Sequence, residues 1–257
     1  MNLQYHKPQY YPISNSDDIV IFIHGFMGSP NQFSELMAVA QLQSFATATL
    51  LLPGHGDTPA HFGASTFEQW QSHVNSEICR FSCEYENIWL VGHSMGGLLA
   101  LNSSVDFPDK VRGVLTIATP FIIPKTSIYS VKTRIKHFLS KKDSPIKSKY
   151  LSSSSVELSP SLLWNWQKPT NELKELMTTA RINLPVVTVP VTAVYSESDE
   201  TTHISSLGVL HDELTRTHLT PVVLTKSLHA YYPKEEQLII NEALLQLISR
   251  ENAENIG

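Results

Sequence analysis

Short apolar runs alternate with helix-spaced apolar positions along most of the chain. The runs are typical of buried strands and lie at 19–23, 47–52, 88–91, 111–118, 190–195 and 222–225. Between the first two, apolar side chains recur at helical spacing within 32–43, at Phe33, Leu36, Met37 and Ala40. Strands that alternate with helices predict an α/β fold, with a doubly wound, mainly parallel sheet and right-handed crossovers.

Two predicted helices begin with capping signals. Ser29 and Pro30 fit the N-cap and the first helical position of the helix that follows the strand at 19–23. Ser65 and Glu68 form a Ser-x-x-Glu capping box, which predicts a helix from that point to Phe81.

The segment 91–97, Val-Gly-His-Ser-Met-Gly-Gly, joins the predicted strand at 88–91 to a helix-like stretch at 98–105. Gly-x-Ser-x-Gly at such a junction is the pattern of a nucleophile elbow, in which a sharp, strained turn lifts the serine hydroxyl clear of the sheet. Gly92 and Gly96 suit this turn because side chains there would collide. Ser94 is therefore the candidate nucleophile.

A second loop, 24–28, follows the strand at 19–23 and has the sequence His-Gly-Phe-Met-Gly. Beside an elbow of this kind, such a loop supplies one backbone N–H of an oxyanion hole, and the residue after the nucleophile supplies the other. The candidate donors are the N–H groups of Phe26 and Met95, which would point at the oxygen where negative charge develops. We interpret His24 as a residue that braces the loop.

The acid and the base of a catalytic triad should follow the serine in that order. Asp199 comes just after the strand at 190–195, and His229 follows the strand at 222–225, so both lie past the carboxyl ends of predicted strands. Asp199 would orient the imidazole of His229, which would accept and return the proton of Ser94. Other candidates are Glu197, Glu200 and Asp212 for the acid, and His203, His211 and His218 for the base.

With these residues assigned, the chain resembles the serine carboxylesterases and monoacylglycerol lipases of the α/β-hydrolase superfamily, especially the small bacterial carboxylesterases that carry a compact lid. The resemblance runs through 24–28, 52–56, 92–96, 116–120, 199–200 and His229, and it covers most of the chain outside the lid. Leu228 stands where the family often has Gly before the histidine. The resemblance implies the α/β-hydrolase fold and a serine hydrolase mechanism.

Between Phe121 and Leu184 the alternation of strands and helices stops, where hydrolases of this type carry their lid. We therefore predict a core domain of residues 1–120 and 185–257 and a lid, or cap, of residues 121–184. Against the single acid Asp143, the first part of the lid is basic: Lys125, Lys132, Arg134, Lys136, Lys141, Lys142, Lys147 and Lys149.

The basic stretch of the lid also has an apolar face, made by Ile128, Val131, Ile135 and Phe138. We favour the interpretation that this face covers an acyl pocket and the charges lie in water, over transient contact with an anionic membrane surface. Candidate substrate contacts in the lid are Ile135, Phe138, Trp164 and Trp166, although the two tryptophans fit a lid core equally well.

Composition adds little to this interpretation. The formal net charge of −5 over 257 residues gives no reason to expect a nucleic-acid partner. The first seven residues lack an apolar signal-peptide region and no apolar run is long enough to span a membrane, so we expect a cytoplasmic protein without stable membrane insertion. Metalloprotease and phosphate-loop motifs are absent from the sequence, and we expect neither a metal nor a cofactor.

The expected reaction is cleavage of carboxylic esters through an acyl-enzyme, with short to medium acyl esters or monoacylglycerols as substrates. A thioesterase or an acyltransferase would keep the same triad. A lyase similar to the menaquinone-pathway member of the superfamily would also keep it, but would need cationic residues in the pocket. A binding module without activity usually lacks one member of the triad, whereas all three candidates are present here.

Overall fold

The structure, a computed structural model, describes residues 6–122, 145–156 and 167–254. Within these ranges one sheet contains β1 (Gln9–Tyr11), β2 (Asp18–Ile23), β3 (Ala46–Thr49), β4 (Asn87–His93), β5 (Val111–Ile117), β6 (Val191–Ser196) and β7 (Leu219–Leu224). The helices are α1 (Ser34–Leu42), α2 (Pro59–Ala64), α3 (Phe67–Phe81), α4 (Met95–Asp106), α5 (Pro145–Ser153), α6 (Gln167–Asn183), α7 (Ser205–Glu213) and α8 (Lys234–Glu254).

The strands lie in the order β1-β3-β2-β4-β5-β6-β7, and every neighbouring pair is parallel except β1 with β3. The predicted mainly parallel α/β sheet is thereby confirmed. The antiparallel edge strand β1 was not predicted, because its three residues are partly or fully exposed and carry no apolar run.

The chain order reverses between β2 and β4, which are neighbours in the sheet and pair from Asp18 with Asn87 to Ile23 with Gly92. In an open α/β sheet, a crevice forms at such a switch point, just outside the carboxyl ends of the strands. The loop at 24–28 leaves β2 there, and Ser94 follows β4 at the same edge. The topology therefore brings two widely separated sequence motifs together.

The sheet is buried on both faces. On β2, Ile19, Ile21 and Ile23 join the core cluster under α3, α4 and α6, whereas Val20 and Phe22 join the cluster under α1 and α8, and all five side chains are fully buried. Burial on both faces explains why this strand is a continuous apolar run rather than an alternating one.

Three of the predicted element boundaries were wrong. The strand predicted at 222–225 is β7, which begins three residues earlier, at Leu219. The helix predicted at 32–43 is a 3₁₀ turn, Pro30–Phe33, followed by α1. The strand predicted at 47–52 is β3, which ends at Thr49. At Leu52 the backbone N–H donates instead to the Nε2 atom of His24, at 3.0 Å, so this residue binds a side chain rather than a neighbouring strand.

One of the two capping predictions is confirmed and the other was wrong by one residue. Ser29 is the N-cap of the Pro30–Phe33 turn and accepts a hydrogen bond from Asn31 N–H at 3.3 Å. In α3 the capping box joins Thr66 and Gln69 rather than Ser65 and Glu68. Ser65 is already engaged as the C-cap of α2, where its hydroxyl donates to the carbonyl of Phe62 at 2.7 Å.

Part of the predicted lid lies among the described residues. Helix α6 packs against α2, α3 and α4, and its Leu176 and Ala180 are fully buried in the larger core cluster. Helix α5 packs beside the Pro30–Phe33 turn. The apolar face around Ile135 and Phe138, and both Trp164 and Trp166, lie outside the described residues.

Candidate active site

Ser94 occupies a strained turn between β4 and α4. Its backbone angles are φ 53° and ψ −119°, in the left-handed half of the map that residues other than glycine rarely adopt. The turn is secured by Ser94 N–H, which donates to the carbonyl of Ile117 on β5 at 2.8 Å. This strained junction from strand to helix has the geometry expected of a nucleophile elbow.

The glycines around Ser94 permit close backbone packing. A Cβ atom on Gly92 would lie 2.4 Å from the carbonyl oxygen of Gly96, and one on Gly96 would lie 2.0 Å from that of Ile23 on β2. A Cβ atom on Gly97 would lie 1.9 Å from Oγ1 of Thr119. Because real Cβ atoms do not approach other atoms this closely, glycine is required at each of these positions.

Asp199 and His229 form a buried hydrogen-bonded pair. The Nδ1 atom of His229 lies 2.9 Å from Oδ2 and 3.1 Å from Oδ1 of Asp199, and each side chain is only 3 % exposed. The backbone N–H groups of Thr201 and Thr202 donate to Oδ1 of Asp199 at 2.7 and 2.9 Å.

The pKa of Asp199 is held below its usual value despite the burial of the side chain. Burial alone would raise the pKa, but the charge of His229, the hydrogen bond with its ring, and the N–H groups of Thr202 and Thr201 together outweigh that effect. The carboxylate is therefore ionised at neutral pH and can accept the Nδ1 proton of His229.

The backbone of His229 is held at both its N–H group and its carbonyl group. Its N–H donates to Oε2 of Glu200 at 3.0 Å, and its carbonyl accepts from Nε2 of His93 at 2.8 Å and from the Tyr232 hydroxyl at 3.1 Å. Because His93 directly precedes Ser94, its hydrogen bond joins the serine turn to the histidine loop. The rings of His93 and His229 are 4.9 Å apart.

The other candidate acids and bases from the sequence lie apart from this pair. His203, His211 and His218 are exposed; His203 binds the hydroxyl of Ser205 at 2.7 Å, and His211 binds Asp212 at 3.0 Å. Glu197 is exposed as well. Glu200 is the exception, because it contacts the backbone of His229 rather than the ring.

The loop at 24–28 passes directly against Ser94. A Cβ atom on Gly25 would lie 2.8 Å from the Cβ of Ser94, so the backbone leading to Phe26 runs alongside the serine. Met95 is the first residue of α4, where backbone N–H groups have no acceptor within the helix. Met95 therefore adjoins Ser94 in the chain, and the loop that carries Phe26 passes beside Ser94 in space.

Two buried histidines hold this loop in place. The Nδ1 atom of His24 donates to Gly25 O at 2.9 Å, and its Nε2 atom accepts from Leu52 N–H, which confirms the bracing interpretation. His55 accepts from Met27 N–H at 3.2 Å. Burial lowers the pKa of His24 well below its usual value and that of His55 to about 4, so both rings are neutral and can act as acceptors.

Comparison with known proteins relates this arrangement to a known fold. Residues 18–134 match the family model for the alpha/beta hydrolase fold. Over 97 % of this chain and all of the other, the structure is similar to one of the metagenome-derived lipolytic enzymes LipS and LipT, with a TM-score of 0.76 and 21 % identity. The chain has the α/β-hydrolase fold.

Two curated relatives of this protein differ in how much of their length is matched. A thermostable monoacylglycerol lipase of Bacillus sp. strain H-257 is 23 % identical over 90 % of both chains. A Mycoplasma genitalium protein with the provisional name esterase/lipase 2 is 28 % identical over 43 % of this chain, and the match spans only 42 % of that protein's own length.

Several contacts of this protein were not predicted from the sequence. Glu200 was considered only as a rival acid, and neither His55 nor His93 was given a role. A signal was available for His55, which sits between two glycines in a loop that follows a strand, whereas the partners of His93 and Glu200 are distant in sequence.

Among the described residues, one group of three carboxylates lies close enough together to be considered as a metal site. Glu68, Glu172 and Glu175 bring carboxylate oxygens within 4.8 Å of one another, but two of the three side chains are exposed, and such clusters are common without an ion. Along the described helices, none combines the length and the apolar character needed to cross a bilayer.

Proposed function

We propose that this α/β hydrolase is a serine carboxylesterase that cleaves lipid-like esters through an acyl-enzyme. The observation that carries the proposal is the buried pair of Asp199 and His229, whose loop is hydrogen-bonded through His93 to the strained turn at Ser94. A nucleophile on a strained turn and an oriented imidazole base are the parts that acyl transfer from an ester requires.

In the first half of the reaction, His229 accepts the proton of the Ser94 hydroxyl as its oxygen attacks the ester carbonyl. The N–H groups of Phe26 and Met95 would stabilise the negative charge on the tetrahedral oxygen. The protonated His229 then donates to the alcohol oxygen, which leaves, and Ser94 carries the acyl group. In the second half, water takes the place of the alcohol and the same steps release the acid.

Asp199 has a supporting role in this mechanism. Its carboxylate accepts the Nδ1 proton of His229 and so leaves Nε2 as the basic atom. The low pKa of Asp199 keeps this acceptor ionised when the imidazole gains its second proton. The interaction of the two opposite charges then stabilises the transition state.

Support for lipid-like substrates comes from the monoacylglycerol lipase among the relatives. We further propose that residues 121–184 form the lid over a core of 1–120 and 185–257, and that Ile135, Phe138, Trp164 and Trp166 contact the acyl chain. Among the described residues of the basic stretch, Lys149 lines a cavity beside His93, together with Phe33 and Tyr232.

The test is a turnover series over p-nitrophenyl esters from acetate to palmitate, run beside 1-monoacylglycerol and acyl-CoA. We expect a burst of p-nitrophenol equal to the enzyme concentration, and an acyl adduct on the Ser94 peptide by mass spectrometry. Turnover of acyl-CoA without turnover of oxygen esters would favour a thioesterase or an acyltransferase instead. If no acyl donor labels Ser94, the proposal fails, and the lyase reaction becomes the next to assay.

A further inference from the structure

Residues 145–156, named here the brace segment, touch both loops of the proposed mechanism. At one end, the hydroxyl of Tyr150 on α5 donates to Oε1 of Glu200, while Oε2 of the same carboxylate accepts the N–H of His229 at 3.0 Å. Tyr150 is only 6 % exposed, so the donor end of this chain of hydrogen bonds is buried. The lid side of the molecule is thereby tied to the backbone of His229.

At its other end, the brace segment is bonded to the loop that carries Phe26. Ser155 N–H donates to the carbonyl of Met27 at 3.0 Å, and the Ser155 hydroxyl donates to that of Gly28 at 2.5 Å. Ser154 and Gly28 also form an antiparallel bridge. Ser155 is completely buried, so these bonds do not compete with solvent.

The sheet alone does not fix the distance between these two loops. The loop at 24–28 leaves β2 and His229 follows β7, and three strands, β4, β5 and β6, separate β2 from β7. The loops extend beyond the hydrogen-bonded strands, where the ladder no longer constrains them. The brace segment supplies a direct path between them, from Gly28 through Ser155 and Tyr150 to Glu200 and His229.

We propose that the brace segment holds the oxyanion loop and the histidine loop at the separation that catalysis needs, and that Tyr150, Glu200 and Ser155 are positioning residues. The proposal rests on the proposed function of Ser94 and His229. A carboxylate suits position 200 because its two oxygens accept from Tyr150 and His229 at once, and bonds to an ionised acceptor are stronger than neutral ones.

A hydrogen bond from Tyr232 also holds the backbone of His229 in place. Burial, followed by the negative charges of Asp199 and the nearby Glu200, raises the pKa of Tyr232 well above its usual value. Its hydroxyl therefore stays protonated and donates to the carbonyl of His229 at 3.1 Å. The histidine backbone is thus held by an acceptor on one side and a donor on the other.

The experiment measures kcat and KM for p-nitrophenyl butyrate in Tyr150→Phe, Glu200→Gln and Ser155→Ala. We expect each variant to lose roughly tenfold in kcat with KM unchanged within about twofold, because misplaced catalytic groups slow the chemical step without altering substrate contacts. The Tyr150→Phe/Ser155→Ala double variant should lose less than the product of the two single losses, because both substitutions release the same connection.

Matched controls are Tyr11→Phe, Glu197→Gln and Ser152→Ala. They make the same chemical changes at two exposed side chains and at a hydroxyl that donates within α5, to Lys149 O at 2.9 Å. They should stay within about twofold of the wild type. Losses in the controls as large as in the test variants would overturn the proposal, as would multiplicative losses in the double variant.

Amide hydrogen exchange gives a readout that does not depend on activity. In Glu200→Gln and Tyr150→Phe, peptides that cover 24–28 should exchange faster, although neither substitution touches that loop. Unchanged exchange there, together with unchanged kcat, would refute the positioning role of the brace segment without affecting the proposed esterase function. A wild-type protein without esterase activity but with this exchange response would refute the proposed function and leave the connection standing.

Discussion

The Nδ1 atom of His229 lies 2.9 Å from Oδ2 of Asp199, and a second histidine–aspartate pair, His211 and Asp212, has almost the same separation of 3.0 Å. The first pair is 3 % exposed on each side chain, and the second is 80 % and 78 % exposed. At an exposed site such a pair contributes little, whereas burial strengthens a hydrogen bond to a carboxylate. Burial therefore distinguishes the proposed catalytic pair from a surface pair.

Substitutions in the two pairs should differ accordingly. His229→Ala should lower kcat by on the order of 10⁴-fold or more, because the base is lost, and Asp199→Asn should cost somewhat less, because only orientation and tautomer are disturbed. Steady-state hydrolysis of p-nitrophenyl butyrate measures both. His211→Ala and His203→Ala are the controls, and a loss in His203→Ala as large as in His229→Ala would show that the base is misassigned.

Ser94 combines a proposed chemical role with backbone strain, and the two effects can be separated. Ser94→Ala should abolish turnover by on the order of 10⁴- to 10⁶-fold at nearly unchanged stability. Ser94→Gly should be equally inactive but more stable by about 1 kcal/mol, because glycine adopts φ 53° without strain. Urea unfolding checks the stability of both variants. The control is Ser104→Ala, in the helix α4 that follows Ser94, which should retain activity within about twofold. Esterase activity in Ser94→Ala within tenfold of wild type would remove Ser94 from the mechanism.

The glycines offer a matched pair for stability. Gly96→Ala should destabilise the fold by about 3 kcal/mol or more, because its Cβ atom would lie 2.0 Å from Ile23 O in a rigid sheet. Gly208→Ala, in α7 with no atom within 4 Å of its Cβ position, should stabilise by about 0.5 to 1 kcal/mol. Urea denaturation midpoints compare the two variants. An equal, small effect at both positions would contradict the close packing at Gly96.

Acid should destabilise the protein through its buried histidines. The pKa of His55 is lowered by burial to about 4, so between pH 6.5 and 4 the unfolded chain binds a proton that the folded chain does not. Stability should fall over that window, and the share of His55 at pH 5 is about 2 kcal/mol. The free energy of unfolding, measured from pH 7 to pH 5, should fall less steeply in His55→Gln than in the wild type or in His211→Gln. An identical slope in all three proteins would exclude this role for His55.

The sheet and the serine turn could be predicted because their signals are local. The fully buried run of β2 and the Gly-x-Ser-x-Gly pattern each lie within a few consecutive residues. By contrast, Gln9–Tyr11 forms a strand because it pairs with Thr47–Thr49, which is distant in the sequence. No local sequence pattern predicts that pairing. At the start of α3 two overlapping capping boxes were possible, and the engagement of Ser65 with Phe62 O decided between them.

The supporting contacts of the site were beyond local prediction for the same reason. Tyr150 lies 50 residues from Glu200 and Ser155 lies 127 residues from Gly28, so neither pairing has a pattern in the sequence. The triad candidates themselves were easier to find, because each follows a recognisable strand. Sequence motifs identify which groups could react, whereas tertiary packing determines which groups hold them in place.

The bond between His93 and His229 joins residues that are 136 positions apart, and one of them lies near the carboxyl end of the chain. During synthesis the serine turn and the strand β4 emerge long before β7 and the loop that carries His229. On the proposed mechanism, a nascent chain therefore holds a nucleophile without its base and cannot hydrolyse esters. On that mechanism, esterase activity would appear only after the loop that carries His229 has been synthesised.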